Sequence, residues 1–128
     1  RLQPLLSANS SLSHLDLGMC ELESHGAEAV AKGLERATSL RRLELPSNNI
    51  GDRGLLFLES LLSSSCRNLV YLDLSDNAIG PRGAAAFANS LPQCPVLSHL
   101  DLSNNCLEGG GVAHLAVGIR ACQKLTRL

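Results

Sequence analysis

Residues 69–80 read LVYLDLSDNAIG, and the same outline is written three more times in the chain: LSHLDLGMCELE at 12–23, LRRLELPSNNIG at 40–51 and LSHLDLSNNCLE at 97–108. A further start, LTRL, occupies residues 125–128. The first leucines of these copies, Leu12, Leu40, Leu69, Leu97 and Leu125, are spaced by 28, 29, 28 and 28 residues. A fixed period in this range is the signature of a solenoid, in which each unit stacks on the one before. Within each copy the wording is L-x-x-L-x-L-x-x-N/C-x-L/I. In the third copy it is carried by Leu69, Leu72, Leu74, Asn77 and Ile79. The alternation L-x-L is the period of a strand with one buried face, and the strand it predicts is short, about four residues.

The residue after the strand is the unusual one. Asn48, Asn77 and Asn105 fall among apolar positions, with Cys20 in the equivalent place of the first copy. A buried amide must be hydrogen-bonded. Stacked asparagines can achieve this by bonding the backbone of neighbouring units, whereas a thiol offers only a weak version of the bond.

The second half of the period predicts a helix. Fourteen residues after each first leucine stands a glycine: Gly26, Gly54, Gly83 or Gly111. Four further on come Val30, Leu58, Phe87 and Leu115, and four beyond those Leu34, Leu62, Leu91 and Ile119. A spacing of four keeps these on one helical face. Ser24, Asp52 and the pair Gly80-Pro81 read as helix starts, and Pro92 and Pro95 as the stop of the third such helix. Ala27, Ala31, Ala84, Ala88, Ala113 and Ala116 are small enough to let helices approach closely. Cys66, Cys94 and Cys122 share one phase, three residues ahead of a strand, and are read as buried structural thiols.

Each repeat is thus strand, turn, helix and return. Parallel strands stack about 4.8 Å apart, while packed helices need about 8–10 Å. The stack must therefore curve, with strands inside and helices outside. The resulting expectation is an α/β solenoid, a right-handed horseshoe segment with a parallel sheet on its concave face. It is a single domain over residues 1–128: a partial helix at 1–11, repeats at 12–39, 40–68, 69–96 and 97–124, and a truncated repeat at 125–128. Leu2 and Leu6 align with the helical phase of Val30 and Leu34, and neither end carries an evident polar cap, so the chain is expected to be a slice of a longer protein.

With these motifs in place, the chain resembles a leucine-rich repeat protein of the ribonuclease-inhibitor-like class, whose repeats run 28–29 residues. The resemblance extends over essentially the whole chain. It implies the horseshoe fold and protein binding on the concave face. Members include the cytosolic ribonuclease inhibitor, the sensor ends of NOD-like receptors and the Ran GTPase-activating protein. The inhibitor alternates Asn-type and Cys-type repeats, and this chain departs from that pattern by having Cys only at Cys20.

Composition narrows the function. The chain has 128 residues, 45% hydrophobic but only 2% aromatic, so its core is built of Leu, Ala and Val. Eleven basic and twelve acidic side chains give a net charge of −1, a balance that points to neither nucleic acid nor a membrane surface. No apolar run approaches the roughly 20 residues that span a bilayer. Five cysteines, an odd number without paired clusters, suggest reduced thiols and a cytoplasmic location.

The candidate binding residues flank the second leucine of each strand. On one side lie His14, Arg42, Tyr71, His99 and Arg127, and on the other Asp16, Glu44, Asp73 and Asp101. A cationic and aromatic column beside an acidic one is a docking strip for a protein surface, with Tyr71 and Arg42 as anchors of the type favoured at interfaces. Its rim would be Arg41, Pro46, Ser47, Val70, Ser75, Asp76, Ser103 and Asn104. The competing reading is that the acidic column only pairs with its basic neighbours.

Chemistry has less support. Carboxylates one repeat apart approach the separation of a retaining glycosidase, but a regular exposed column offers no pocket. His14 and His99 lie three strands apart, about 14 Å, too far to share a metal, and a linear column of thiols does not converge on one ion. EGGG at 108–111 lacks the P-loop wording, and Gly109 and Gly110 are read as a loose turn. No cofactor, metal or small-molecule substrate is expected, and no enzymatic activity. Two alternatives remain: a GTPase activator of the Ran-activating type, with Arg53 and Arg82 on strand-to-helix loops, and a structural spacer.

Overall fold

The computed structural model describes residues 2–64 and 67–128. Its elements alternate throughout: α1 (Leu2–Ser7), β1 (His14–Asp16), α2 (Glu23–Gly33), β2 (Arg42–Glu44), α3 (Gly51–Ser64), β3 (Tyr71–Asp73), α4 (Pro81–Ser90) with a 3-10 turn at Leu91–Gln93, β4 (His99–Asp101) and α5 (Glu108–Arg120). The strands form one parallel sheet in chain order, and Arg127 adds an isolated parallel bridge to His99. Each strand is three residues long rather than four and carries one inward leucine, with the next leucine of the motif just beyond its end. The register aligns Leu15, Leu43, Leu72 and Leu100. Leu43, Leu72 and Leu100 are buried in the core between sheet and helices, together with Val30, Leu58, Phe87 and Leu115 from the helices.

The asparagines form the expected ladder. Asn77 Oδ1 accepts the backbone N–H groups of Asn48 and Ile50 at 3.1 and 3.3 Å. Its Nδ2 donates to the carbonyls of Leu45 and Ser75 at 2.7 and 3.0 Å. Asn48 does the same for Cys20, Leu22, Leu17 and Pro46. Asn105 serves Asn77, Ile79 and Leu74. Residues flanking these amides are left-handed: Ser47 and Asn49, Asp76 and Ala78, and Asn104 all have φ between 52° and 55°. This tight turn lets the amide face inward. Cys20 does not follow suit: its side chain is exposed and its thiol bonds the carbonyl of Gly18 at 3.4 Å. β1, which precedes Cys20, is the first strand of the sheet.

The helical glycines are close-approach positions. A Cβ on Gly54 would lie 3.1 Å from Ser24 Cα, and one on Gly111 would lie 3.1 Å from Pro81 Cα. On Gly118 it would lie 2.4 Å from the Ala88 carbonyl oxygen. Packing of successive helices is therefore backbone against backbone.

Three local expectations are corrected and one is met. Ser24 and Asp52 lie inside their helices, and Asp52 Oδ1 accepts the Gly80 N–H at 2.6 Å, holding the next repeat rather than capping its own. Gly80 with Pro81 does start α4, with Gly80 extended and proline in the first turn. Gly109 and Gly110 belong to the first turn of α5, not to a loose turn. Ala113 and Ala116 are exposed, because no further helix covers α5 in the structure. Cys94 and Cys122 are buried as expected; burial pushes the Cys94 thiol up to about 11 and raises that of Cys122. Cys66 lies outside the described residues.

Candidate functional site

Side chains on the sheet face opposite the core project from alternate positions, so each strand contributes one residue to each of two columns. The strand register brings the predicted residues together: His14, Arg42, Tyr71 and His99 are mutual neighbours in one column, and Asp16, Glu44, Asp73 and Asp101 in the other. Arg127 extends the first column beside His99.

The first column is a stack. The Arg42 guanidinium lies 3.8 Å from the centroid of the Tyr71 ring, within cation–π range. Tyr71 and His99 stack at 5.8 Å between centroids with 26° between planes. Ser98, just before β4, places its hydroxyl 2.7 Å from His99 Nδ1, which fixes that ring. The sequence does not single out Ser98; its one signal is that it shares a phase with Arg41 and Val70.

The acidic column is divided in role. Glu44 takes a two-pronged bond from Arg42, Nε to Oε1 at 2.7 Å and Nη2 to Oε2 at 2.9 Å, and a third from His14 Nε2 at 2.7 Å. The Arg42 hydrogen bond is the main reason its carboxyl falls to about 2, with His14 adding to it. Asp16, Asp73 and Asp101 instead bend one oxygen back to the backbone N–H two residues on, at Gly18, Ser75 and Ser103. The Ser103 hydroxyl and N–H together lower the Asp101 pKa. Pairing of acid with base therefore holds for Glu44, while the aspartates tighten their own turns.

Other candidates lie elsewhere. Arg53 and Arg82 sit in the first turns of α3 and α4, exposed and off the strip. Among the described residues no three His, Cys, Asp or Glu side chains are grouped to hold a metal ion. No described helix is long and apolar enough to cross a membrane.

A curved parallel sheet lined on one side by short repeats of strand, asparagine turn and helix defines a leucine-rich repeat solenoid. The profile of the family described as "Leucine Rich repeat" matches four segments, 8–31, 36–58, 65–88 and 93–116. The chain belongs to the leucine-rich repeat family. Human NACHT, LRR and PYD domains-containing protein 5 is 36% identical over 89 residues, which is 69% of this chain and 7% of that protein. Rat Leucine-rich repeat-containing protein 41 is 33% identical over 91 residues, 67% of this chain and 11% of the relative. Bovine Tonsoku-like protein is 36% identical over 102 residues, 76% of this chain and 7% of the relative. The chain thus spans about a tenth or less of the curated relatives it matches. Among solved structures, Leiomodin-1 Actin-Binding Site 2 superposes with a TM-score of 0.84 over 98% of this chain and 75% of that one, at 15% identity, a likeness of fold. The repeats and these relatives together identify a protein-interaction repeat domain.

Proposed function

We propose that this chain docks a protein ligand on its concave strand face, through His14, Asp16, Arg42, Glu44, Tyr71, Asp73, His99, Asp101 and Arg127, without catalysis or cofactor. One observation carries the reading: Tyr71 is held between Arg42 and His99 on an open sheet face. A rigid aromatic anchor whose rotamer is already fixed loses little entropy on binding, and Tyr and Arg are the residues that dominate interface energetics. A spacer has no use for such an arrangement. Residues 1–128 act as one docking unit of a larger parent. Similarity to a NACHT, LRR and PYD domains-containing protein favours a parent of the NOD-like receptor type, and free buried thiols at Cys94 and Cys122 favour the cytoplasm.

Selection of a random twelve-residue peptide library on the chain tests the reading. Selected peptides should lose at least tenfold in affinity with Tyr71→Ala and keep it with Leu56→Ala, which trims an exposed side chain on α3. Peptides indifferent to Tyr71 and to Arg42→Ala would place the docking surface elsewhere.

A further inference from the structure

The concave face is not uniform. Toward the N-terminal ends of β2–β4 lies a groove of about 540 Å³ lined by Arg41, Arg42, Val70, Tyr71, His99 and Arg127. Of its three guanidinium groups only that of Arg42 has a carboxylate partner, Glu44. Neither Arg41 nor Arg127 makes an ion pair among the described residues, and both are exposed. No carboxylate lines the groove. Its apolar and aromatic lining comes from Val70 and Tyr71, with Tyr71 stacked between Arg42 and His99.

Building on the concave-face reading, we infer that this groove takes an acidic segment of the protein partner, whose Asp or Glu side chains meet Arg41 and Arg127 while an apolar or aromatic neighbour covers Val70 and Tyr71. Planar guanidinium groups receive carboxylates through two parallel hydrogen bonds. Arg41, without a carboxylate partner among the described residues, supplies the donors for this, Arg127 adds positive charge to the far side of the groove, and Arg42, already engaged, supplies shape.

The second column decides against a polyanion. Asp73 and Asp101 lie two residues along β3 and β4 from Tyr71 and His99 on the same face, about 7 Å away. A nucleic acid strand carries charge along its whole length and would lie against those carboxylates as well as the arginines. A peptide places its carboxylates singly, and can set neutral or basic side chains over Asp73 and Asp101.

Fluorescence anisotropy separates the outcomes. The probes are a labelled ten-residue peptide of alternating Glu and Ser around a central Leu, its Lys-for-Glu counterpart, and a ten-nucleotide single-stranded DNA. The proteins are the chain and its Arg41→Glu/Arg127→Glu variant, with thermal unfolding monitored to confirm that the fold survives. The Glu peptide should bind the chain at least tenfold more tightly than the Lys peptide or the DNA, weaken with added salt, and lose at least tenfold in the double variant. A conservative Arg41→Lys/Arg127→Lys variant should keep part of that affinity. No Glu-peptide binding, equal binding by the variant, or tighter binding of DNA or the Lys peptide would overturn the inference. The library selection tells this failure from that of the broader reading. Selected peptides that depend on Tyr71 but carry no acidic bias leave concave docking standing and remove the acidic preference. Peptides indifferent to Tyr71 remove both.

Discussion

Asn77 is fully buried, and both ends of its amide are spent on backbone: two N–H groups of the preceding repeat enter its oxygen, and two carbonyls receive its nitrogen. Replacing it with Ala strands all four groups away from water, where each unsatisfied group costs about 1–3 kcal/mol. Asn77→Ala should therefore destabilise the chain by about 3 kcal/mol or more in urea unfolding. Asn105→Ala, at a partly exposed position where water can replace the amide, should cost roughly half as much. Glu44 gives a prediction in pH. Its carboxyl is depressed from 4.5 to about 2 in the folded chain, so the unfolded state takes up the proton first as acid is added. The stability Glu44 contributes is fully present above about pH 4.5 and is lost as pH falls toward 2. Thermal midpoints of the wild type should consequently fall more steeply than those of Glu44→Gln across that window, and the two curves should run parallel above it. At this scale the leucines and asparagines were readable in the sequence because a rigid period dictates where they point. The fork from Arg42 to Glu44 and the stacking on Tyr71 were not. A guanidinium on a flexible stem can reach several partners, and a list of neighbours does not say which one it takes.

Helix α5 carries two kinds of glycine. Gly118 abuts the Ala88 carbonyl so closely that a methyl group forces α4 and α5 apart, whereas Gly110 has open space around it. Gly118→Ala should lower stability by about 1–3 kcal/mol through overpacking. Gly110→Ala should raise it by about 0.5–1 kcal/mol by removing backbone freedom from the unfolded chain. Thermal melts of the two variants against wild type should therefore move in opposite directions. The same pairing of helices explains where sequence signals misled. Asp52 has the composition of a helix cap, but the adjacent repeat brings the Gly80 N–H within its reach, and that bond joins two coils. The run of glycines at 109–111 has the composition of a loop, yet the period requires a helix there and α5 begins at Glu108. In a solenoid the register of the whole array overrides local propensity.

Across the whole molecule, the inward leucines of β2, β3 and β4 are buried alike, and burial falls off only at β1. Leu15 on β1 is only partly buried, while the equivalent Leu72 on β3 is enclosed on both sides. Leu72→Ala should cost about 2–5 kcal/mol and Leu15→Ala clearly less. Both variants should retain a single urea transition, since neighbouring repeats share one core. The alternation of elements and the parallel sheet were legible from spacing alone. The exposure of Cys20, Ala113 and Ala116 was not, because it depends on which coil lies beyond each edge rather than on the residue or its phase.

The amides of Asn48, Asn77 and Asn105 all reach backward along the chain, each steadying the loop of the coil before its own. The array consequently has a polarity that its near-identical units conceal. Taking away a coil from the carboxyl side robs its predecessor of a clamp, whereas taking one from the amino side leaves the backbone of the next coil still clamped by its successor, and only that coil's own amide loses what it gripped. Amide protons at Asn77 and Ile79 should then exchange faster once the coil bearing Asn105 is deleted, and those at Asn48 and Ile50 should be indifferent to loss of the coil bearing Cys20. Fraying, and in reverse the growth of order, would travel along this protein with a preferred heading.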